Sequence, residues 1–204
     1  RWFDRPSPDL TEVRSALQRM VTEGHRASDI ISSIRAMFSK EQQQRSSVNI
    51  DDLIREVLSA LLGDLKSCGV ALRLELLDGM HPVEADRVQL RQVLLNLVTN
   101  AMDAMKAVED RPRVLRIRSE GLDHEWVVIS VEDTGTGISE ENKDRIFDAF
   151  FTTKSHGMGL GLSICRSIIE AHGGWLSASD AHPYGSTFQV MLPVQTRTAA
   201  TSTQ

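Results

Sequence analysis

The chain has 204 residues, 41% hydrophobic and 25% charged. That is a globular balance, with room for one domain of about 150 residues and an appendage. The net charge of −5 argues against a nucleic-acid surface, and no apolar run reaches the ~18 residues a membrane span requires. No signal peptide is present, and a chain starting at Arg1 reads as a piece of something longer. Cys68 and Cys165 lie in apolar helical contexts and read as reduced core residues of a cytosolic protein.

In chain order, Ser7 or Asp9 opens a helix. Leu10, Val13, Leu17, Met20, Gly24, Ala27, Ile31, Ile34 and Phe38 then recur at alternating spacings of 3 and 4. That is a coiled-coil or bundle seam, and a single seam needs a partner helix to cover it. His25 on this helix reads as a polar surface residue. Residues 41–47 are polar and read as a linker, and 48–50 as a short strand. Asp51 is expected to cap a helix over 52–67, with Leu53, Ile54, Val57, Leu58 and Leu61 on one face. Strands are expected at 70–77 and 81–85.

The next helix, 87–108, carries Leu90, Val93, Leu94, Leu97, Ala101, Ala104, Met105 and Val108 on one broad stripe. Gln92, Asn96, Asn100 and Asp103 stack on the other side. Asparagine is a poor helix former because its amide competes for backbone hydrogen bonds. Two asparagines one turn apart are either a solvated face or oxygen ligands for a hard cation such as Mg²⁺ beside phosphates. Strands follow at 113–118 and 126–132 around an Asp123-His124 turn. A short helix is expected at 140–147, a helix at 162–172, and closing strands at 175–179 and 187–192 about Pro183-Tyr184-Gly185. His172 reads as a helix C-terminal residue that interacts with the dipole. The tail from 195 to 204 reads as disordered.

The region 133–162 carries the chemistry. It contains Asp133-Thr134-Gly135-Thr136-Gly137, then Phe147-Asp148-Ala149-Phe150-Phe151-Thr152-Thr153-Lys154, then Gly157-Met158-Gly159-Leu160-Gly161. Asp133 continues the buried phase of Val127, Ile129 and Val131. A buried carboxylate is costly unless paired, and a purine amino group would pair it. The second glycine cluster runs into a helix whose N-terminus suits phosphate. Walker-type, dinucleotide and protein-kinase signatures are absent.

Together these stretches resemble the ATP-binding domain of sensor histidine kinases in two-component signalling. Asn96-Leu97-Val98-Thr99-Asn100 is similar to the family's N box and Asp133 to Gly137 to its first glycine box. Phe147 to Phe151 is similar to the F box, Gly157 to Gly161 to the second glycine box, and Gly185-Ser186-Thr187-Phe188 to the final strand motif. The match covers residues 48–194. Residues 1–40 resemble the second helix of a dimerisation and phosphoacceptor hairpin, with the first helix, and its histidine, lying before Arg1.

The resemblance implies an α+β fold, a two-layer sandwich with a mixed sheet under three helices, preceded by one long bundle helix. It implies ATP and Mg²⁺ as cofactors. Asp133 would accept from the adenine amino group, with Gly135, Gly137 and Thr187 shaping that pocket. Asn100, with Asn96, would hold Mg²⁺, and residues 151–157 would be the nucleotide lid. Phe151, Thr153, Lys154, Gly157, Gly159, Leu160 and Gly161 would contact the nucleotide, Lys154 at the γ-phosphate. Lys106 would stand in for a basic residue that some members carry where this chain has Asp103. Hydrolases of the wider superfamily place a glutamate base at the position of Asn96, so asparagine there favours transfer over hydrolysis. The implied partners are a histidine-bearing helix of the same or a partner subunit and a response regulator, with homodimerisation through residues 9–40 in a bacterial cytoplasm. A degenerate nucleotide module and an anti-sigma-type serine kinase are the alternatives.

Overall fold

The computed structural model describes residues 12–14, 16–17, 20, 44–77, 82–154 and 157–194. The chain divides into two compact units, Arg1–Ser39 and Lys40–Gln204. In the first unit the described residues are helical, and Leu17 and Met20 of the expected seam are exposed. Val13 of the seam is half-buried, and its other positions, His25 and the 195–204 tail lie outside the described residues.

The second unit starts with β1 (Ser46–Val48), which pairs antiparallel with β3 (Val83–Ala85). Helix α1 (Ile50–Ser67) begins earlier than expected, because Asn49 caps it: its side chain accepts from the Asp52 N–H at 3.1 Å. Asp51 is therefore not the cap. It lies in the first turn, is buried, and accepts from Ser119 Oγ at 2.6 Å. Helix α2 (Arg87–Lys106) is capped by Asp86, which accepts from the N–H groups of Val88 and Gln89.

The main sheet has the order β2-β4-β5-β7-β6. It comprises β2 (Ala71–Glu75), β4 (Val114–Leu122), β5 (Trp126–Asp133), β6 (Trp175–Asp180) and β7 (Ser186–Pro193). β2 and β4 run parallel and all other pairs antiparallel, so the sheet is mixed. Helices α1, α2 and α3 (Gly161–Ala171) form the second layer. Leu53, Leu97, Met105, Leu115, Ile117, Val131, Ile169 and Leu192 are almost wholly buried among these elements. The expected sandwich of a mixed sheet and three helices is present.

Two local expectations fail. Residues 140–147 give only a 3₁₀ turn, Glu140–Asn142, because Ser139 makes no capping bond and the turn buries no residue. β4 runs on to Leu122, and the three residues 123–125 turn the chain into β5, with Asp123 and His124 both at positive φ, 52° and 56°.

His172 does more than face a helix dipole. It is buried at the end of α3, with Nδ1 at 2.7 Å from the Ile168 carbonyl and Nε2 accepting from the Asp86 N–H at 2.9 Å. Those two bonds require a neutral ring with the proton on Nδ1. The side chain ties the C-terminus of α3 to the capping residue of α2, so the two helices that flank the phosphate end are joined at one histidine.

Candidate nucleotide-binding site

The expected adenine end is built where β5 stops. Asp133 ends that strand on the inner face, 1% exposed. Its carboxylate is already paired within the chain. Oδ2 accepts from Ser186 Oγ at 2.7 Å, and Oδ1 accepts from the Gly135 N–H at 2.7 Å. Burial raises its pKa above the ordinary 3.8, opposed by the bonds from Ser186 and Gly135. Each carboxylate oxygen has a second acceptor site, so a ligand N–H can join this pair.

Sequence reasoning missed Ser186 and chose Thr187 instead. The ladder pairs Thr187 with Glu132, and directly opposed residues project from the same face of the sheet. Thr187 therefore lies on the face away from Asp133, and Ser186 is the residue that reaches it. Counting alternation back from Phe188, which opposes the inward Val131, gives that answer.

The first glycine box bends around α2. A Cβ at Gly135 would fall 2.6 Å from Asp133 Oδ1 and 2.8 Å from the Ala104 carbonyl carbon. The Thr136 N–H also bonds the Ala104 carbonyl, at 3.3 Å. Gly137 takes a φ of +75° beside the Gly185 carbonyl. Close packing of chain on chain by itself requires glycine at 135, and positive φ favours it at 137.

The expected phosphate end lies between α2 and the start of α3. Asn96 donates from Nδ2 to Cys165 Sγ at 3.6 Å and lies about one methyl contact, 3.9 Å, from where a Gly161 Cβ would sit. Cys165 is fully buried and its thiol is pushed up to about 12 by that burial, so it is an inert packing group. Both cysteines are free, as expected. Asn100 accepts from Lys154 Nζ at 2.8 Å, and the same ammonium lies 2.8 Å from Asp103 Oδ2. Asp103 Oδ1 in turn takes Lys106 at 2.6 Å. Burial raises the pKa of Asp103, but the hydrogen bonds and charges of the two lysines outweigh it, and the net shift is downward. Lys106 and Lys154 thus both pair with Asp103, one on each carboxylate oxygen.

A hard cation fits this position. Asn100 Oδ1 and Asp103 Oδ2 are both hard oxygens, and they already gather one positive charge, the Lys154 ammonium. Among the described residues no group of three or more His, Cys, Asp or Glu could hold a metal ion by itself, so a metal at this position would need oxygen ligands from outside the chain.

The F box supports the lid. Phe147 is buried edge-on to Phe188, with Arg166 over its other face at 4.6 Å. Arg145 covers Phe151 at 4.5 Å. The Phe150 N–H bonds the Gly159 carbonyl, and a Cβ on Gly159 would fall 2.4 Å from the Phe151 carbonyl oxygen. F box and second glycine box therefore pack backbone on backbone. Thr153 is exposed, Gly157 packs against Thr152 Oγ1, and Leu160 is the uncapped start of α3. Lid residues 155–156 lie outside the described residues.

Comparison with known proteins agrees with this reading. Residues 85–196 match the family model described as histidine kinase-, DNA gyrase B-, and HSP90-like ATPase. The chain is 36% identical to the sensor protein TdiS of Thauera aromatica over 184 residues, 90% of this chain and 34% of TdiS. It is 38% identical to the catalytic domain of histidine kinase ThkA, with a TM-score of 0.67, covering 74% of this chain and 96% of that one. A longer ThkA structure, in complex with response regulator TrrA, is 33% identical with a TM-score of 0.73, covering 94% of this chain and 53% of that one. Full-length ShkA in complex with AMPPNP is 27% identical with a TM-score of 0.74, covering 90% and 39%. The chain spans about a third of the length of TdiS.

Fold, motif placement and these matches define an ATP-binding catalytic domain of the sensor histidine kinase class. The chain belongs to the family of histidine kinase-, DNA gyrase B- and HSP90-like ATPases.

Proposed function

We propose that this chain binds Mg²⁺·ATP and transfers its γ-phosphoryl group to a histidine on a separate helix, for relay to a response-regulator aspartate. The observation that carries this reading is the Lys154 ammonium shared by Asn100 and Asp103, a cation position one turn along α2 from Asn96, which lies beside the start of α3. Adenine would pair with Asp133. Asn100, with Asn96 one turn earlier, would face the metal, which supplies charge neutralisation on the phosphates when bound. Lys154 would leave Asn100 and Asp103 for the γ-phosphate, and the first-turn N–H groups of α3, which no side chain caps, would face the remaining oxygens. Transfer needs positioning and charge neutralisation more than a base. The Asn96 amide, held toward the Cys165 sulfur, is not one.

The acceptor histidine's ring nitrogen would bond to the γ-phosphorus as the bridging oxygen leaves with ADP. The ThkA–TrrA complex supports a response regulator as a further partner. The seam of residues 9–40 would dimerise in the longer protein, with residues 1–40 as hairpin helix; the catalytic domain would begin at β1, two residues before the expected boundary at 48, so the linker expected over 41–47 would end at 45. Among the described residues no helix is long and apolar enough to cross a membrane, and ATP as substrate fits a cytoplasmic site.

Calorimetric titration with ADP, with and without Mg²⁺, tests the pocket. Wild type should bind in the micromolar range, more tightly with Mg²⁺. Asn100→Ala should lose about tenfold in the presence of Mg²⁺ and little in its absence. Equal losses under both conditions would make Asn100 structural. With ATP and an added histidine-bearing hairpin, the label should appear on the hairpin as an acid-labile phosphate. An acid-stable product would favour the serine-kinase reading.

A further inference from the structure

Asp133 is held by two separate pieces of chain, the loop that follows β5 and the turn that precedes β7. Arg111, on the connection between α2 and β4, touches both. Its Nε donates to the Thr134 carbonyl at 3.1 Å and its Nη2 to the Gly135 carbonyl at 2.7 Å. Its guanidinium lies under the Tyr184 ring, 4.3 Å from the centroid. Tyr184 stands two residues before Ser186, whose hydroxyl holds Asp133 Oδ2.

The Thr134 carbonyl and the Gly135 N–H belong to one peptide unit. Arg111 therefore bonds the oxygen of the same peptide whose N–H bonds Asp133 Oδ1. A charged donor on the carbonyl polarises that peptide and strengthens the N–H toward the carboxylate. The planar fork suits two successive carbonyls, and its face suits the tyrosine, a combination that lysine cannot supply. The ion pair with Asp110, at 3.2 Å, is a weaker reason for the residue, because Asp110 is 77% exposed and such pairs contribute little.

We infer that Arg111, backed by Tyr184, is a positioning residue for base selection: it fixes the first glycine box and the β6–β7 turn so that Asp133 meets a purine amino group. The inference rests on the assignment of Asp133 to adenine.

Titration with ADP and with inosine diphosphate, which has a carbonyl in place of the amino group, tests it in the full chain at fixed Mg²⁺. Wild type should prefer ADP. Arg111→Ala should weaken ADP binding about tenfold while binding of inosine diphosphate changes little, so the preference shrinks. Tyr184→Phe keeps the ring face and should keep the preference, whereas Tyr184→Ala should reduce it. If thermal melting shows that Arg111→Ala is unfolded, Arg111→Gln carries the same comparison with one donor retained. Equal losses for both nucleotides, or an unchanged ratio, would overturn the role of Arg111. An unchanged ratio in Asp133→Ala would instead remove the adenine assignment beneath it.

Discussion

Asp133→Ala is expected to lower ADP affinity by about ten- to a hundredfold, the ~1.5–3 kcal/mol of a charge-assisted hydrogen bond in a buried site. Two features place the effect at the upper end of what one side chain can do. The carboxylate is 1% exposed, and donors from Ser186 and Gly135 fix its orientation. Only the ionised form has its full acceptor capacity, so ADP affinity should also fall on acidification, with a midpoint above the ordinary 3.8. The sign for stability is opposite. A carboxyl whose folded-state pKa is raised stabilises the fold below its ordinary value, and that contribution is lost as pH rises through the raised one. At neutral pH the ionised Asp133 is therefore a cost to the fold. Asp133→Asn can keep both local bonds, since the Ser186 hydroxyl can accept as well as donate, and it should melt no lower than wild type at pH 7 while binding ADP poorly. Loss of binding together with early melting would mean that Asp133 is structural.

That opposition between fold and site explains which parts were legible in the sequence. The helices announced themselves by apolar periodicity, and β5 by an alternation that also aimed Asp133 inward. The two asparagines were visible because they are poor helix formers placed one turn apart. Other features depend on contacts between distant segments. Nothing near Arg111 in the sequence marks it, because its partners are carbonyls 23 and 24 residues onward and a tyrosine in the last turn. Asp103 looked like a missing basic residue, and only the fold brings Lys154 back 51 residues to meet it. Asp51 was mistaken for a cap because its buried partner, Ser119, lies 68 residues away. Ser186 is legible from alternation along β7, because Phe188 opposes the inward Val131 and the residue two before it shares that face.

The glycines make the same point with a larger expected effect. Gly185→Ala should destabilise the catalytic unit by about 3–4 kcal/mol and lower its melting temperature by roughly 10 °C. Gly185 has a φ of +94°, where a side chain is strained in any surroundings. Its Cβ would also fall 1.8 Å from the Asp133 carbonyl oxygen and 3.0 Å from the Thr134 Cα. Those atoms are backbone at the end of a central strand, so relief requires the β6–β7 turn to move away from β5. That movement would pull Ser186 from Asp133 Oδ2 and Tyr184 from Arg111, so ADP binding should fall along with stability. Gly63 supplies the contrast. It lies within α1 with no atom within 4 Å of where its Cβ would sit, and Gly63→Ala should raise stability by about 0.5–1 kcal/mol through helix propensity alone. A Gly185→Ala variant that melts like wild type and binds ADP normally would show that the turn does not need to lie against Asp133, and the two-sided support of the adenine carboxylate would fail with it.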